Sequence, residues 1–181
     1  MVEIKEGFVL WLTGLSGSGK TSISLELEKR FKERGIRYVQ RLDGDVVRRE
    51  LTKDLGFSKE DRDENIRRVG FVAKLLSENG VVTICAFISP YRDVRQEVRN
   101  KCKNFIEIFV SCPLEILIKR DPKGLYKKAL NGEIKGFTGI DDPYEEPKNP
   151  EIIVDTSKES LNDSVEKIIS YIDKRGLIYT T

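Results

Sequence analysis

The chain has 181 residues, a length at which one compact domain buries about 70% of the surface that its unfolded chain exposes. Its 32 Lys and Arg residues nearly balance its 30 Asp and Glu residues, and the formal net charge of +2 argues against nucleic acid or a membrane surface as a partner. No apolar stretch approaches the ~18 residues that a membrane-spanning helix needs. We therefore expect residues 1–181 to form a single domain that works in the cytoplasm.

Short apolar runs alternate with helical patterns along most of the chain. In chain order they predict a strand at 8–13, a helix at 20–35, a strand at 37–42, a helix at 60–80, a strand at 81–88, a helix at 91–102, a strand at 105–112, a helix at 113–120, a strand at 151–156 and a closing helix at 160–176. This alternation predicts an α/β fold in three layers, with a mostly parallel five-stranded sheet and helices on both faces. Ligands then bind at the carboxyl ends of the strands.

Residues 121–150 depart from this pattern and are rich in glycine, proline and charged residues. A loop of this length in a compact domain is usually functional, and often a lid over the site. We therefore expect a lid at about 121–150, with an idle surface insertion as the alternative.

The composition also limits the chemistry. The sequence contains no histidine, so acid–base work must fall to Asp, Glu, Lys or water. Its three cysteines, Cys85, Cys102 and Cys112, form no CxxC pair. Cys85 and Cys112 lie in or at the end of apolar runs, where we expect them to be small buried hydrophobic residues.

The segment "GLSGSGKT" at 14–21 fits the phosphate-loop pattern G-x-x-x-x-G-K-[ST] and stands between a predicted strand and a predicted helix. Its glycines allow backbone amides to turn inward around phosphate, and the helix adds its positive end. Lys20 is expected to reach the β and γ oxygens, and the Thr21 hydroxyl to bind Mg²⁺. The sequence thus predicts that ATP phosphates contact Gly14, Leu15, Ser16, Gly17, Ser18, Gly19, Lys20, Thr21 and Ser22.

Downstream residues indicate the class of phosphate-loop protein. The nearest approach to the guanine motif N-K-x-D is "NKCK" at 100–103, which lacks the aspartate, and the strand at 105–112 ends without the acid of an ATPase motor. Asp43 and Asp45 instead follow the second strand, an arrangement typical of small-molecule kinases. They are candidates to orient an acceptor hydroxyl and water on magnesium. The alternative is a tight turn whose acids cap the next helix.

A second group of residues indicates an anionic acceptor that carries a flat ring. Arginines suit an anion and an aromatic side chain suits a stacked ring. Taken singly, each arginine could equally be a solvated helix charge. The candidates near the expected cleft are Arg48, Phe57, Arg62, Asn65, Ile88 and Ser89.

Five segments resemble the successive motifs of the adenylylsulfate kinase family, in order and nearly without gaps. They are "LDGD", "DLGFSKEDRDENIRRVGFVAKL", "FISPYR", "RDPKGLYKKA" and "IKGFTGIDDPYE". The resemblance implies a phosphate-loop kinase that uses ATP and Mg²⁺ to phosphorylate the 3'-hydroxyl of adenosine 5'-phosphosulfate (APS). The products would be 3'-phosphoadenosine 5'-phosphosulfate and ADP, in sulfate assimilation. It also implies a homodimer.

The resemblance assigns roles to individual positions. On the acceptor side, it implies that Phe57 and Phe137 sandwich the substrate adenine, that Arg48, Arg62 and Asn65 hold the phosphosulfate, and that Ile88 and Ser89 line that pocket through their backbone. It also implies that Asp43 and Asp45 orient the 3'-hydroxyl and the metal, with Thr21 and Asp45 as metal ligands. Lys123 and Lys127 would close over the phosphates. The family describes a phosphoserine at the position of Ser89, but in-line transfer needs no covalent step.

The chain departs from the family pattern after the second aspartate. The usual D-G-D-N becomes "DGDV" with Val46, and the histidine and glycine after the arginine become Arg49 and Glu50. Two alternatives therefore stay open: another small-molecule phosphate-loop kinase, or an inactive nucleotide-binding module.

Overall fold

The computed structural model describes residues 2–180, and these form seven strands and seven helices. The strands are β1 (Val2–Ile4), β2 (Phe8–Thr13), β3 (Val39–Asp43), β4 (Val82–Ala86), β5 (Phe105–Ser111), β6 (Ile152–Asp155) and β7 (Ile178–Thr180). The helices are α1 (Lys20–Glu33), α2 (Gly44–Glu50), α3 (Lys59–Glu78), α4 (Arg92–Lys101), α5 (Leu114–Arg120), α6 (Leu125–Leu130) and α7 (Leu161–Lys174).

Strand β2 is the centre of a five-stranded parallel sheet with the order β3-β4-β2-β5-β6. Its sequence "FVLWLT" is apolar except at the last residue, and every residue of the strand is buried. A parallel strand covered on both faces reads as such a continuous apolar run. The carboxyl end of β2 therefore opens into the middle of one edge of the sheet, where its neighbours also end.

Alternate residues of β2 belong to the two layers of core that flank the sheet. Phe8, Leu10 and Leu12 pack in a cluster with residues of α1 and α7. Val9 and Trp11 pack in a second cluster with residues of α3 and α4. The sheet is thus sandwiched between two helical layers, and the predicted three-layer α/β fold is confirmed.

The elements that the sequence analysis missed are short. Helices α2 and α6 have only seven and six residues, and α6 lies inside the segment predicted as an irregular lid. Strands β1 and β7, three residues each, pair antiparallel as a separate two-stranded sheet that joins the two ends of the chain. The five predicted strands and five predicted helices are all present, with ends that differ from the prediction by at most two residues.

Other expectations concern burial. Cys85 and Cys112 are buried, as their apolar surroundings predicted, and burial raises the pKa of the Cys85 thiol. Among residues 2–180, no helix combines the length and apolar character that crossing a membrane requires.

Helices α3 and α4 approach closely at Gly70. A Cβ atom placed there would lie 2.5 Å from one methyl carbon of Val98 and 2.7 Å from the other. Val98 is itself buried, so its side chain cannot move aside freely to make room for a Cβ atom at residue 70. Glycine at this position lets α3, which carries several candidate site residues, pack directly on α4.

We predict that Gly70→Ala lowers the free energy of unfolding by about 1–3 kcal/mol, because the added methyl group overpacks the contact with Val98. Urea denaturation followed by circular dichroism measures the loss. Phe71→Ala, a change at the next residue on the exposed side of the same helix, should shift stability by only about 0.5 kcal/mol. A Gly70→Ala protein as stable as the wild type would contradict the packing argument.

Candidate active site

A cleft of about 520 Å³ lies at the carboxyl ends of β2, β3 and β4. The phosphate loop, α2, the start of α3, the loop after β4 and the lid segment (residues 121–150) form its walls. The cleft brings together most of the candidates from the sequence: Ser16, Gly17, Gly19, Lys20, Thr21, Ser22, Asp43, Asp45, Arg48, Phe57, Arg62, Asn65, Ile88, Ser89, Lys123 and Phe137.

The phosphate loop ends where α1 begins. Gly19 caps α1 at a φ of 107°, a left-handed conformation that favours glycine, and the following residue is Lys20. The Lys20 ammonium is buried in the loop and donates hydrogen bonds to the carbonyl oxygens of Gly14 at 2.7 Å and Leu15 at 2.8 Å. A phosphate group bound in the loop would therefore compete with these two carbonyl oxygens for the Lys20 ammonium.

The pKa of Lys20 is lowered from 10.5 to about 7. Burial is the largest cause, and the positive charge of Lys123 adds to it, whereas Asp43 and Asp45 act in the opposite direction. A bound polyphosphate would restore the missing counter-charge, so the ammonium form of this side chain is stabilised by an anion in the cleft.

Asp43 connects the phosphate loop with α2. Its carboxylate accepts from the Asp45 amide at 3.1 Å and so caps α2. The same carboxylate accepts from the Thr21 hydroxyl at 3.2 Å and from Arg41 Nη1 at 3.1 Å. Asp43 therefore caps the next helix, as the alternative for "DGD" predicted, and the same carboxylate also lies beside the phosphate loop. The structure brings Asp43, rather than Asp45, next to Thr21.

Asp45 faces the lid segment instead. Lys123 Nζ lies 2.8 Å from Asp45 Oδ2, and both side chains are more than half exposed. An ion pair exposed to this degree contributes little to stability and is screened by salt. It therefore joins the lid segment to α2 with a contact that ligands can displace.

Arg48 and Phe57 form one wall of the cleft. The Arg48 guanidinium lies 4.4 Å from the centroid of the Phe57 ring, and it donates to the Gly56 carbonyl at 3.1 Å. Burial, followed by the nearby positive charge of Arg62, lowers the pKa of Arg48. Two guanidinium groups facing one cleft create a positive field that suits an anion. The Phe57 ring is 70% exposed, and this leaves most of its surface available for stacking.

Arg62 is already engaged with the lid segment. Its guanidinium donates to Thr138 Oγ1 at 2.9 Å, to Asp142 Oδ2 at 2.6 Å and to the carbonyl oxygen of Gly136. These partners surround Phe137, the second predicted stacking ring. The reading of Arg62 as a solvated helix charge is therefore wrong.

Phe137 is linked in turn to the phosphate loop. Its ring meets Tyr126 edge to face, with centroids 5.1 Å apart. The Tyr126 hydroxyl donates to the Ser16 carbonyl at 2.7 Å. The sequence analysis did not consider Tyr126, although it lies within the quoted segment "RDPKGLYKKA".

Ser89 has a backbone φ of 44°, unusual for a residue other than glycine. Its hydroxyl accepts from Trp11 Nε1 at 3.1 Å and donates to the Phe87 carbonyl at 3.2 Å. Both hydrogen-bonding functions of the hydroxyl are therefore used inside the protein. Asn65 is similarly engaged, because its Oδ1 accepts from Thr52 Oγ1 at 2.8 Å.

Four predicted nucleotide contacts do not line the cleft, namely Gly14, Leu15, Ser18 and Lys127. The first three form the underside of the phosphate loop, where Gly14 lies against the Val110 carbonyl and Ser18 is buried. Lys127 lies on α6 with an exposed side chain.

Val46, the departure from the family pattern, is 58% exposed and lies outside the cleft lining. The sequence missed lining residues such as Pro122, Leu125 and Thr138, which lie within the quoted lid motifs.

Comparison with known proteins gives this cleft its context. The family model described as adenylylsulphate kinase matches residues 6–155. The chain belongs to the adenylylsulfate kinase family. An adenylyl-sulfate kinase from Halothermothrix orenii is 56% identical over 174 residues, which cover 96% of this chain and 94% of that relative. A probable adenylyl-sulfate kinase from Pseudomonas aeruginosa is 62% identical over 90% of this chain and 76% of the relative.

A solved structure extends the likeness to three dimensions. The APS kinase of Mycobacterium tuberculosis, in complex with AMPPNP and APS, superposes with a TM-score of 0.88 at 41% sequence identity. The match covers 93% of this chain and 98% of that one. The resemblance drawn from the sequence motifs is thereby confirmed, as is the phosphate-loop kinase fold.

We predict that Ser89→Ala lowers the free energy of unfolding by about 1–3 kcal/mol, because the buried Trp11 N–H loses the acceptor to which it donates. Thermal and urea unfolding followed by circular dichroism measure this. Ser24→Ala is the matched control: Ser24 is also buried, but its hydroxyl only donates to the Thr21 carbonyl within α1. Equal stability losses in the two variants would contradict the role given to the Trp11–Ser89 bond.

Proposed function

We propose that this member of the family transfers the γ-phosphoryl group of ATP to the 3'-hydroxyl of APS, giving 3'-phosphoadenosine 5'-phosphosulfate and ADP. The observation that carries the proposal is one cleft that has the phosphate-loop residues Ser16 to Ser22, except Ser18, on one side and two arginines with two aromatic rings on the other. The likeness to a kinase solved with AMPPNP and APS supports the same pairing of ligands.

The donor side of the cleft suits ATP. Lys20, released from the Gly14 and Leu15 carbonyls, would neutralise the β and γ phosphates, and the N-terminus of α1 would add its dipole. Lys123 would exchange Asp45 for phosphate as the lid segment closes, because its present ion pair is exposed. Lys127 would contact phosphate only if the lid segment moved from its present position.

The residues beside the phosphate loop fit Mg²⁺. This ion prefers oxygen ligands and is commonly held by one or two carboxylates together with substrate phosphates. Thr21 Oγ1 and Asp43 provide adjoining oxygens, and Asp45 lines the same cleft. No group of three or more acidic, histidine or cysteine side chains within residues 2–180 could hold a metal by itself. When bound, the ion would supply positive charge that offsets the negative charge developing during transfer.

The acceptor side suits a sulfated nucleotide. Phe57 and Phe137 would stack on the two faces of adenine, while Arg48 and Arg62 supply positive charge for the phosphosulfate, with Asn65 and the backbone of Ile88 and Ser89 completing the pocket. Asp45, exposed in the cleft, would accept the proton or hydrogen bond of the 3'-hydroxyl, and Asp43 would hold the Thr21 hydroxyl in place beside the site that suits the metal.

Direct in-line transfer accounts for the chemistry without a phosphoserine. Both hydrogen-bonding functions of the Ser89 hydroxyl are engaged, with Trp11 and Phe87, and the chain has no histidine to activate it. We therefore assign Ser89 a role in shaping the acceptor pocket. The single domain over residues 1–181, the homodimer and the cytoplasmic location stay predictions.

The decisive experiment measures ADP release by purified protein with Mg²⁺ and ATP, with APS, AMP or a panel of nucleosides and sugars as acceptor. We expect release with APS alone and a 3'-phosphorylated product identified by mass spectrometry. Lys20→Ala should abolish transfer, and Ser89→Ala should retain it. Turnover with another acceptor but not APS would favour a different small-molecule kinase, and no turnover with any acceptor would favour an inactive nucleotide-binding module.

We predict that Arg62→Ala raises the KM for APS by roughly 10- to 100-fold, the equivalent of losing a charge-assisted hydrogen bond, with a much smaller change in the KM for ATP. Initial-rate kinetics with each substrate varied in turn measure both constants. Arg68→Ala is the control on the same helix, because Arg68 pairs only with surface groups such as Asp54 and Glu64. Equal increases in both KM values would contradict the assignment of Arg62 to the acceptor side.

A further inference from the structure

Arg95 on α4 is a buried charged side chain for which neither the phosphate loop nor the acceptor pocket accounts. It is 2% exposed, and each of its three guanidinium nitrogens has an acceptor. Nε donates to Glu107 Oε1 at 3.0 Å, Nη1 to the Ser89 carbonyl at 2.5 Å and Nη2 to the Glu145 carbonyl at 2.6 Å. Burying a guanidinium is costly unless its donors are satisfied, so this arrangement requires all three partners in place.

Two of those partners belong to segments that border the cleft. Ser89 lies on the loop after β4 that lines the acceptor side of the cleft, and Glu145 lies near the end of the lid segment. The same two segments touch elsewhere, because the Glu145 amide donates to the Pro90 carbonyl at 2.8 Å. Arg95 thus links the loop after β4, which carries Ser89, and the end of the lid segment to the single helix α4.

The backbone of Ser89 needs such support. A left-handed φ in a residue other than glycine persists only where its surroundings hold it. Arg95 holds the Ser89 carbonyl, and Thr13 Oγ1 at the end of β2 donates to the preceding Ile88 carbonyl at 2.7 Å. The Thr13 hydroxyl also contacts the hydroxyl of Tyr144 on the lid segment at 2.9 Å.

The bond from Thr13 sets the direction of the peptide group between Ile88 and Ser89, and the bond from Arg95 holds the next peptide group, between Ser89 and Pro90. The peptide between Ile88 and Ser89 is planar and trans, so its N–H points opposite to its C=O. Since the Ile88 carbonyl is directed at Thr13, the Ser89 N–H points away from Thr13, and Ser89 lines the cleft. An N–H in that position can donate to an anionic oxygen of the acceptor.

We propose that Arg95 is a positioning residue for the acceptor: by holding the Ser89 and Glu145 carbonyls, it fixes the backbone at Ser89 and the end of the lid segment in the geometry that binds the anionic group of the substrate. The inference rests on the proposed function. Arg95 does not line the cleft, so it acts on the substrate through the backbone that it holds.

Arg99 provides a matched control. It lies one turn further along α4 and shares Glu107, its Nη2 lying 3.2 Å from Glu107 Oε2. Its other hydrogen bonds within residues 2–180 go to Glu151, and they do not reach Ser89 or the lid segment. A lysine at either position keeps the positive charge near Glu107, but its compact ammonium lacks the planar fork with which a guanidinium reaches acceptors in widely separated directions.

The test compares Arg95→Lys, Arg99→Lys and wild type by unfolding free energy, kcat and the KM for each substrate. We expect both variants to lose stability, but only Arg95→Lys to raise the KM for APS, by about 10-fold, with the KM for ATP nearly unchanged. Hydrogen exchange of amides at 144–146 should also become faster only in Arg95→Lys. Loss of stability in Arg95→Lys without a change in the KM for APS would overturn the inference.

A second variant covers the case in which Arg95→Lys does not fold. Thr13→Val is nearly isosteric and removes the other donor to the same loop, so it should also raise the KM for APS. An unchanged KM for APS in Thr13→Val would then overturn the inference. Failure of the wild type to use APS would instead refute the proposed function, so the two failures can be told apart.

Discussion

Burial of β2 on both faces is the constraint on which the rest of the molecule depends. Its apolar residues alternate between the two core layers, and this fixes α1 and α7 on one side and α3 and α4 on the other. The strand can then end only at the edge of the sheet where β3 and β4 also end. The phosphate loop, the Asp43 carboxylate and the loop that carries Ser89 meet because their strands are held in register there.

The two halves of the cleft are joined through the lid segment. On the donor side, Tyr126 bonds to the phosphate loop, and on the acceptor side Arg62 gathers residues around Phe137. Phe137 and Tyr126 are themselves in contact. A shift of the phosphate loop thus has a continuous path of packed groups to the ring that is proposed to stack on adenine.

The sequence predicted those features that depend on neighbours along the chain. The apolar run of β2, the glycines of the phosphate loop and the acids after β3 are local signals, and each appears where the pattern placed it. Features that depend on distant contacts could not be predicted in this way. The partners of Arg62 lie more than 70 residues further along the chain, and β1 and β7 are too short to show a period.

Charge alone could not tell the sequence analysis which individual arginines are solvated and which are engaged inside the fold. An arginine in a sequence does not reveal whether its guanidinium is solvated or bound to the lid segment. Only the fold shows that Arg62 pairs with Asp142 of the lid segment, whereas Arg68 pairs with Asp54 at the surface. Arg95 shows this most clearly, because its charge lies in a helix rich in polar residues and yet is buried. Likewise, the spacing of Asp43 and Asp45 did not reveal which carboxylate turns toward Thr21.

Trp11 is the only tryptophan in the chain, and it contacts Ser89 on the loop after β4. Its indole is stacked between Phe87 and Phe105 and donates to the Ser89 hydroxyl. Indole emission responds to the polarity and hydrogen bonding of its surroundings. The unlabelled protein therefore carries an intrinsic fluorescent reporter of the loop after β4 that lines the cleft.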